Sequence, residues 1–154
     1  MNVKAIVLIV LSIVLVLSGL GSTSTHSARD SVSRSQLRSF LETYVRLSNA
    51  RDFEGLMSQY VPEPFVLQKG EVVKGDFGRN LAKNMESWDE HQVEFGLLEI
   101  TSIEPRSGEV VVQFEMKGTG KIWVFPITRT FTKKLVLVPD NTDGWKIRED
   151  ITMD

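Results

Sequence analysis

The spacing of apolar residues changes once along this chain, close to Trp88. Before that point apolar residues recur every three or four positions, and after it they alternate with polar residues. Helices that come first in a chain must bury their apolar stripes on one face of the later sheet. The sequence therefore predicts an α+β domain whose N-terminal helices pack on a strongly curved antiparallel sheet, forming a cone with an apolar pocket.

Polar residues mark three helix starts in the first half of the chain. Ser33 with Gln36 resembles a capping box. Asp52 and Asp76 are suited to cap a second and a third helix. Pro62 is expected to end the second helix. Tyr60 would then lie within that helix, on its apolar stripe.

Turn signals divide the second half of the chain into strands. They lie at residues 105–108, 118–120 and 140–144. Alternation in the last strand predicts one common face for Trp145, Ile147, Glu149 and Ile151. We interpret Lys133-Lys134 and residues 148–150 as solvated edges.

An apolar stretch at residues 5–20 follows Lys4. Its length lies between a secretory signal of about 7–15 apolar residues and a spanning helix of about 20. We predict a signal peptide or signal anchor at residues 1–21, a flexible linker at 22–33 and a folded domain at 34–154. The domain is expected to be exported (secreted or periplasmic), or to be held at the membrane by residues 5–20 if they are not cleaved.

The composition argues against several kinds of site. The chain has no cysteine, which excludes disulfides and thiolate nucleophiles. Its two histidines, His26 and His91, are too few for a zinc cluster. The pair Gly118-x-Gly120 lacks the third glycine and the helix of a dinucleotide site. We expect no cofactor and no metal, and a net charge of -2 gives no reason to expect nucleic acid.

Two stretches resemble the nuclear transport factor two-like superfamily. Its helix–turn–helix opening resembles Tyr44-Val45-x-Leu47-x-Asn49-Ala50-x-Asp52-Phe53-Glu54-Gly55-Leu56. Its closing strand resembles Asp143-Gly144-Trp145-Lys146-Ile147. The resemblance covers roughly residues 35–152 and implies the cystatin-like cone fold. The superfamily includes ketosteroid isomerases, SnoaL-like cyclases and non-catalytic binding domains, so membership does not settle function.

The opening looks closest to that of the ketosteroid isomerases. Their oxyanion-binding tyrosine falls at Tyr44, their general base at Gln68 and their second oxyanion donor at Thr128. Glutamine cannot accept and return a proton near neutral pH. The resemblance therefore implies a pocket without the isomerase base, and we assign no catalytic residue.

We predict an apolar pocket with uncharged hydrogen-bonding groups. Its candidate residues are Tyr44, Tyr60, Gln68, Trp88, Trp123 and Thr128. A solid interior, or an ionised acid paired with a base deep inside the domain, would contradict the interpretation of the chain as a non-catalytic binding domain.

Three hypotheses for function follow. The first is a non-catalytic domain that binds a small apolar ligand or self-associates, and the resemblance implies a homodimer formed through the sheet. The second is a cofactor-free lyase, isomerase or hydrolase of the SnoaL-like type, using His91 with Asp89, or Glu149 with Arg129. The alternative structural role for Arg129 and Glu149 is a buried ion pair between adjacent strands. The third hypothesis is a membrane-anchored assembly component.

Overall fold

The computed structural model describes residues 32–142 and 144–153. The predicted signal peptide or anchor, and linker residues 22–31, lie outside the described residues. Within the described part of the chain, no helix is both long and apolar enough to cross a bilayer. Export and membrane anchoring stay predictions.

Three helices begin where their capping residues predict. They are α1 (Arg34–Asn49), α2 (Phe53–Ser58) and α3 (Phe77–Glu90). The Ser33 hydroxyl accepts from the Gln36 amide at 3.2 Å, and the Gln36 side chain accepts from the Ser33 amide at 3.2 Å. Asp52 and Asp76 cap α2 and α3 through their side chains. The predicted capping box and both acidic caps are confirmed.

The strands form one six-stranded mixed sheet. They are β1 (Tyr60–Gln68), β2 (Glu71–Val72), β3 (Glu94–Arg106), β4 (Glu109–Ile122), β5 (Phe125–Pro139) and β6 (Trp145–Met153). Their spatial order is β2-β1-β6-β5-β4-β3, and every neighbouring pair is antiparallel except β1 with β6. The prediction of a purely antiparallel sheet is wrong at that parallel pair. No hairpin joins β1 to β6, so no local turn dictates their relative direction.

The predicted boundary at Pro62 is wrong. Helix α2 ends at Ser58, and Tyr60 is the first residue of β1. The pairing of β1 with β6 shifts register between Tyr60 and Phe65. Proline is tolerated at such an irregularity because the ladder there lacks its regular hydrogen bonds.

The predicted turn at residues 118–120 is also wrong. Strand β4 continues to Ile122, and the chain reverses at Trp123 and Val124. A Cβ on Gly118 would lie 3.4 Å from the Phe131 ring, and one on Gly120 would lie 3.1 Å from the His91 carbonyl oxygen. These glycines permit close approach of neighbouring groups within a strand.

The hydrophobic core lies between the helices and one face of the sheet. Its fully buried side chains include Leu37, Leu41, Leu56, Val112, Phe114, Leu135, Leu137 and Ile147. Leu81 and Met85 add the apolar stripe of α3. The predicted α+β architecture, with helices packed on the sheet, is confirmed. All of these contacts lie within residues 37–147.

A β-bulge in β6 decides which of its side chains face the core. The partners of Ile147 and Glu149 on β5 are consecutive residues, so Arg148 is an extra residue in the ladder. An extra residue reverses the alternation of faces beyond it. Asp150 therefore lies on the core face with Ile147, and Glu149 lies on the opposite face. The predicted common face for Ile147, Glu149 and Ile151 is wrong for this reason.

Gly55 tests the packing of the α1–α2 turn. A Cβ at Gly55 would lie 2.4 Å from Asp52 Oδ2 and 2.7 Å from Leu47 Cδ2. Gly55→Ala should therefore displace the cap of α2 and destabilise the domain by about 1 kcal/mol or more, although alanine normally favours a helix. Urea unfolding of residues 32–154 measures the loss.

Gly78→Ala in α3 is the matched control. Its Cβ would meet no atom closer than 3.4 Å. Its effect is expected to range from neutral to a gain of about 1 kcal/mol. Equal stabilities for the two variants would contradict the clash at Gly55.

Candidate functional site

An open cavity of about 570 Å³ lies against the core face of the sheet. Helices α1 and α3 and strands β3 to β6 contribute to its lining. Its apolar walls are Trp88, Phe95, Met116 and Phe131. Its size is within the range of small-molecule pockets, which is about 300–1,000 Å³.

Four side chains form a buried polar cluster at the floor of this cavity: Tyr44, Tyr60, Lys133 and Asp150. Lys133 and Asp150 are only 7% and 3% exposed. The Lys133 ammonium lies 2.7 Å from Asp150 Oδ1 and donates to Oδ2 at 2.8 Å. The angles at the contact with Oδ1 are outside the range of a hydrogen bond. Oδ1 has no other donor among the described residues.

The tyrosines complete the buried polar cluster. Lys133 donates to the Tyr44 hydroxyl at 3.0 Å, and Tyr60 donates to Asp150 Oδ2 at 2.7 Å. The two hydroxyl oxygens lie 3.2 Å apart. The single proton of Tyr60 is assigned to Asp150 because a carboxylate at the shorter distance is the stronger acceptor.

Ordinary strand and helix geometry assembles this cluster. Lys133 alternates on β5 with Phe131 and Leu135, which both belong to the core region. The bulge turns Asp150 inward from β6. Tyr44 lies on the buried stripe of α1, and Tyr60 opens β1 opposite Ile147.

The protonation states of the cluster follow from burial and charge. Burial raises the pKa of Tyr60 well above its ordinary value, and the Asp150 carboxylate raises it further. Burial also raises the pKa of Tyr44, although the Lys133 charge offsets part of the effect. Burial alone would lower the pKa of Lys133, but Asp150 and Tyr44 outweigh it and the pKa is raised. At neutral pH the cluster holds an ammonium group and two neutral phenols.

The Tyr44 hydroxyl makes two hydrogen bonds within the cluster. It accepts from Lys133 at 3.0 Å and donates to Asp150 Oδ2 at 3.4 Å. The second bond is long, and Oδ2 already receives two shorter hydrogen bonds. Tyr44 and Lys133 both line the cavity, so this long bond is the one that an oxygen atom of a bound molecule could replace.

The prediction of an uncharged pocket is wrong, and the sequence-based reason for expecting a non-catalytic binding domain, which depended on uncharged groups, fails with it. An ionised acid and base are paired inside the domain, and Lys133 and Asp150 are not solvated edges. Lys134, on the opposite face of β5, has the half-exposed position expected of an edge residue.

The predicted pocket residues fall into three groups. Tyr44, Gln68 and Trp88 line the cavity. Tyr60 lies behind Tyr44 and reaches the cavity only through the cluster. Trp123 and Thr128 do not line it.

Trp123 and Thr128 are displaced for identifiable reasons. Trp123 occupies the β4–β5 turn and is 91% exposed. Thr128 is exposed, whereas the next three residues of β5, Arg129, Thr130 and Phe131, line the cavity. Thr130 and Thr128 have the same parity along β5, so the carry-over misses the cavity by position along the strand and not by choice of face.

The predicted catalytic pairs do not converge on the cavity. Arg129 lies opposite Gly118, whereas Glu149 lies opposite Val136 and contacts Arg148 at 3.2 Å. The alternative of a buried Arg129–Glu149 pair is therefore wrong as well.

His91 caps the end of α3 and its side chain is 42% exposed. It lines a separate cleft of about 330 Å³, beside Lys121 and Trp123. Asp89 is exposed. Among the described residues, no three His, Asp or Glu side chains are grouped to hold a metal ion.

The family model for the nuclear transport factor 2 (NTF2) domain matches residues 37–153. This chain belongs to the NTF2 domain family. The resemblance noted from residues 44–56 and 143–147 is thereby confirmed. Comparison with curated proteins found no match.

Solved structures share the NTF2 fold at low sequence identity. An NTF2-like protein with a cystatin-like fold from Novosphingobium aromaticivorans has a TM-score of 0.65 and 13% identity, covering 86% of this chain and 90% of its own. An NTF2-like protein of unknown function from Shewanella oneidensis has a TM-score of 0.63 and 17% identity, covering 78% and 98%. A ketosteroid isomerase-like protein from Erwinia carotovora atroseptica has a TM-score of 0.59 and 17% identity, covering 77% and 92%.

These relatives bear on which part of the chain folds. The Shewanella protein consists almost entirely of the matched NTF2 region. Among the described residues, the buried core cluster spans residues 37–147, and Val32 packs against it. The match to the family model at residues 37–153 and this cluster both lie within residues 32–154.

The buried pair can be tested by a double-mutant cycle. Lys133→Met should destabilise the domain by about 3–5 kcal/mol, because it leaves the Asp150 charge buried without a partner. Lys133→Met/Asp150→Asn should recover most of that loss, since no charge stays buried and asparagine still accepts from Tyr60. Asp150→Asn completes the cycle, and urea unfolding of residues 32–154 provides all three values. A loss in the double variant equal to the sum of the two single losses would show that the two charges do not interact.

The same cluster predicts an alkaline loss of stability. Lys133 and Tyr60 have raised pKa values in the folded state. Their contribution is fully present below the unfolded values of about 10, and it is lost as the pH rises through the folded values. The free energy of unfolding should fall from about pH 10 upward. The decline should be shallower in Lys133→Met/Asp150→Asn, and identical slopes would contradict the assignment.

Proposed function

We propose that this NTF2 domain binds a small, mainly apolar molecule with a carboxylate or similar oxygen-rich head group, and does not transform it. The charge of the cavity is the observation that carries the proposal. Lys69, Arg129 and Lys133 line it, and no carboxylate is among its lining residues. A mainly apolar pocket with a few placed polar groups is typical of small-molecule sites.

The buried polar cluster supports one orientation of the ligand. At the floor, the Lys133 ammonium and the Tyr44 hydroxyl are placed to donate to the head group. Hydrogen bonds to a charged oxygen are stronger than neutral ones, and more so away from bulk water. Asp150 holds the ammonium from behind. The apolar part of the ligand would then contact Trp88 and Phe131.

Proton transfer is poorly supported by the same geometry. Gln68 occupies the position at which the resemblance places the isomerase base. Lys133 stays protonated at neutral pH, since its pKa is raised. Asp150 is committed to Lys133 and Tyr60 and does not line the cavity. A general base needs a pKa near the working pH and access to the substrate.

A cofactor-free lyase or isomerase is the second candidate, and one observation favours it. Lys133 and Tyr44 converge as donors, which is the arrangement that stabilises an enolate or another developing oxyanion. This function would require a proton acceptor other than the residues of the buried polar cluster.

Isothermal titration of residues 32–154 with decanoate and with 1-decanol tests the binding proposal. Decanoate should bind at least about tenfold more tightly, because a charge-assisted hydrogen bond contributes about 1.5–3 kcal/mol. Lys133→Met/Asp150→Asn should lose this preference. Lys134→Met, which alters the neighbouring residue on the other face, should keep it.

Two results would overturn the proposal. Failure of both compounds to bind would remove the ligand site, and equal affinities in the unaltered domain would remove the role of the cationic floor. Accelerated exchange of the α protons of 2-decanone in deuterium oxide would favour the second candidate.

A further inference from the structure

The β4–β5 hairpin ends in four consecutive exposed apolar residues, Ile122, Trp123, Val124 and Phe125, which we call the hairpin tip. Their exposed fractions are 49%, 91%, 82% and 70%. None of them belongs to the core formed by residues 32–142 and 144–153, or packs against it. Contiguous exposed apolar surface of this kind marks an interaction site.

The backbone conformation of the turn disfavours tryptophan at position 123. Trp123 has φ of 61°, at the first position of a two-residue hairpin turn. Glycine or asparagine normally fills such positions, and a bulky residue with positive φ is an outlier. Trp123 therefore serves neither the turn nor the core.

Basic residues outnumber acidic ones beside the hairpin tip. Strands β4 and β5 together contain five Lys or Arg and two Glu. Lys117, Lys121 and Arg129 are exposed on these strands. Two exposed acids lie beside them: Glu94 of β3 is the partner of Thr119, and Glu90 lines the small cleft with Lys121. Three basic residues thus stand against two acidic ones behind the apolar tip.

We propose that the hairpin tip inserts into the head-group region of an anionic lipid bilayer, with Lys117, Lys121 and Arg129 at the level of the phosphates. Tryptophan favours the membrane interface, and apolar side chains backed by Lys or Arg are the pattern of surface-inserting segments. Basic residues near an anionic leaflet add electrostatic attraction. If residues 1–21 are the signal anchor and not the cleaved signal peptide, the domain would also be tethered at a membrane.

Vesicle flotation with residues 32–154 tests whether the hairpin tip inserts into a bilayer, without any contribution from residues 1–31. The domain should float with equimolar phosphatidylcholine and phosphatidylglycerol, and less with phosphatidylcholine alone. Binding should weaken between about 0.05 M and about 0.5 M salt, because salt screens exposed charges. Tryptophan emission should shift to shorter wavelength and be quenched by brominated acyl chains.

Trp123→Gly is the decisive variant. Glycine adopts positive φ without strain, so the hairpin should be retained, and thermal unfolding will verify this. Its partition onto anionic vesicles should fall about tenfold or more. Trp88 and Trp145 remain as internal reporters, and their emission should not be quenched. Leu98→Ser, at an exposed apolar residue of β3, is the control and should float like the unaltered domain.

Three results would overturn the proposal. They are no flotation of the unaltered domain, equal flotation of Trp123→Gly, and a blue shift that grows with protein concentration in the absence of lipid. The last result would instead make the hairpin tip an interface between two copies of this chain.

Discussion

The contact between Lys133 and Asp150 is the interaction on which the interior of this domain depends. It joins β5 to β6 directly, and through Tyr44 and Tyr60 it reaches α1 and β1. Burying two charges costs several kcal/mol unless geometry and further hydrogen bonds compensate. Here both tyrosine hydroxyls supply that compensation. Four elements are thus held together by one polar contact within an apolar core, and the same contact fixes the floor of the cavity.

Much of the fold could be predicted because its signals are local. Ser33 and Gln36 are three residues apart, and Asp52 and Asp76 cap the helices that follow them directly. The change of period near Trp88 separates helices from long strands. The parallel pairing of β1 with β6 has no such signal, since its partners, for example Tyr60 and Ile147, are far apart in the chain. Register between distant strands is decided by packing of the whole sheet.

The candidate site was only partly predictable. Tyr44 and Gln68 were found through the family resemblance, and both line the cavity. Lys133 carried an available signal, because it alternates with apolar residues on β5. Asp150 carried no such signal, because a regular alternation of faces along β6 does not predict the bulge at Arg148. The ion pair at the cavity floor follows from these two residues, so it emerged only with the structure.

That bulge has a consequence for comparing this domain with its relatives. The chemistry of the cavity floor depends on the extra residue in the ladder, because the bulge decides which residue of β6 lies opposite Leu135. If the bulge closed while every residue was kept, Glu149 would lie opposite Leu135 and would replace Asp150 on the core face, without any substitution. A comparison of residue identities alone would overlook such a change. The register of a strand is here as much a determinant of ligand chemistry as the identity of any side chain.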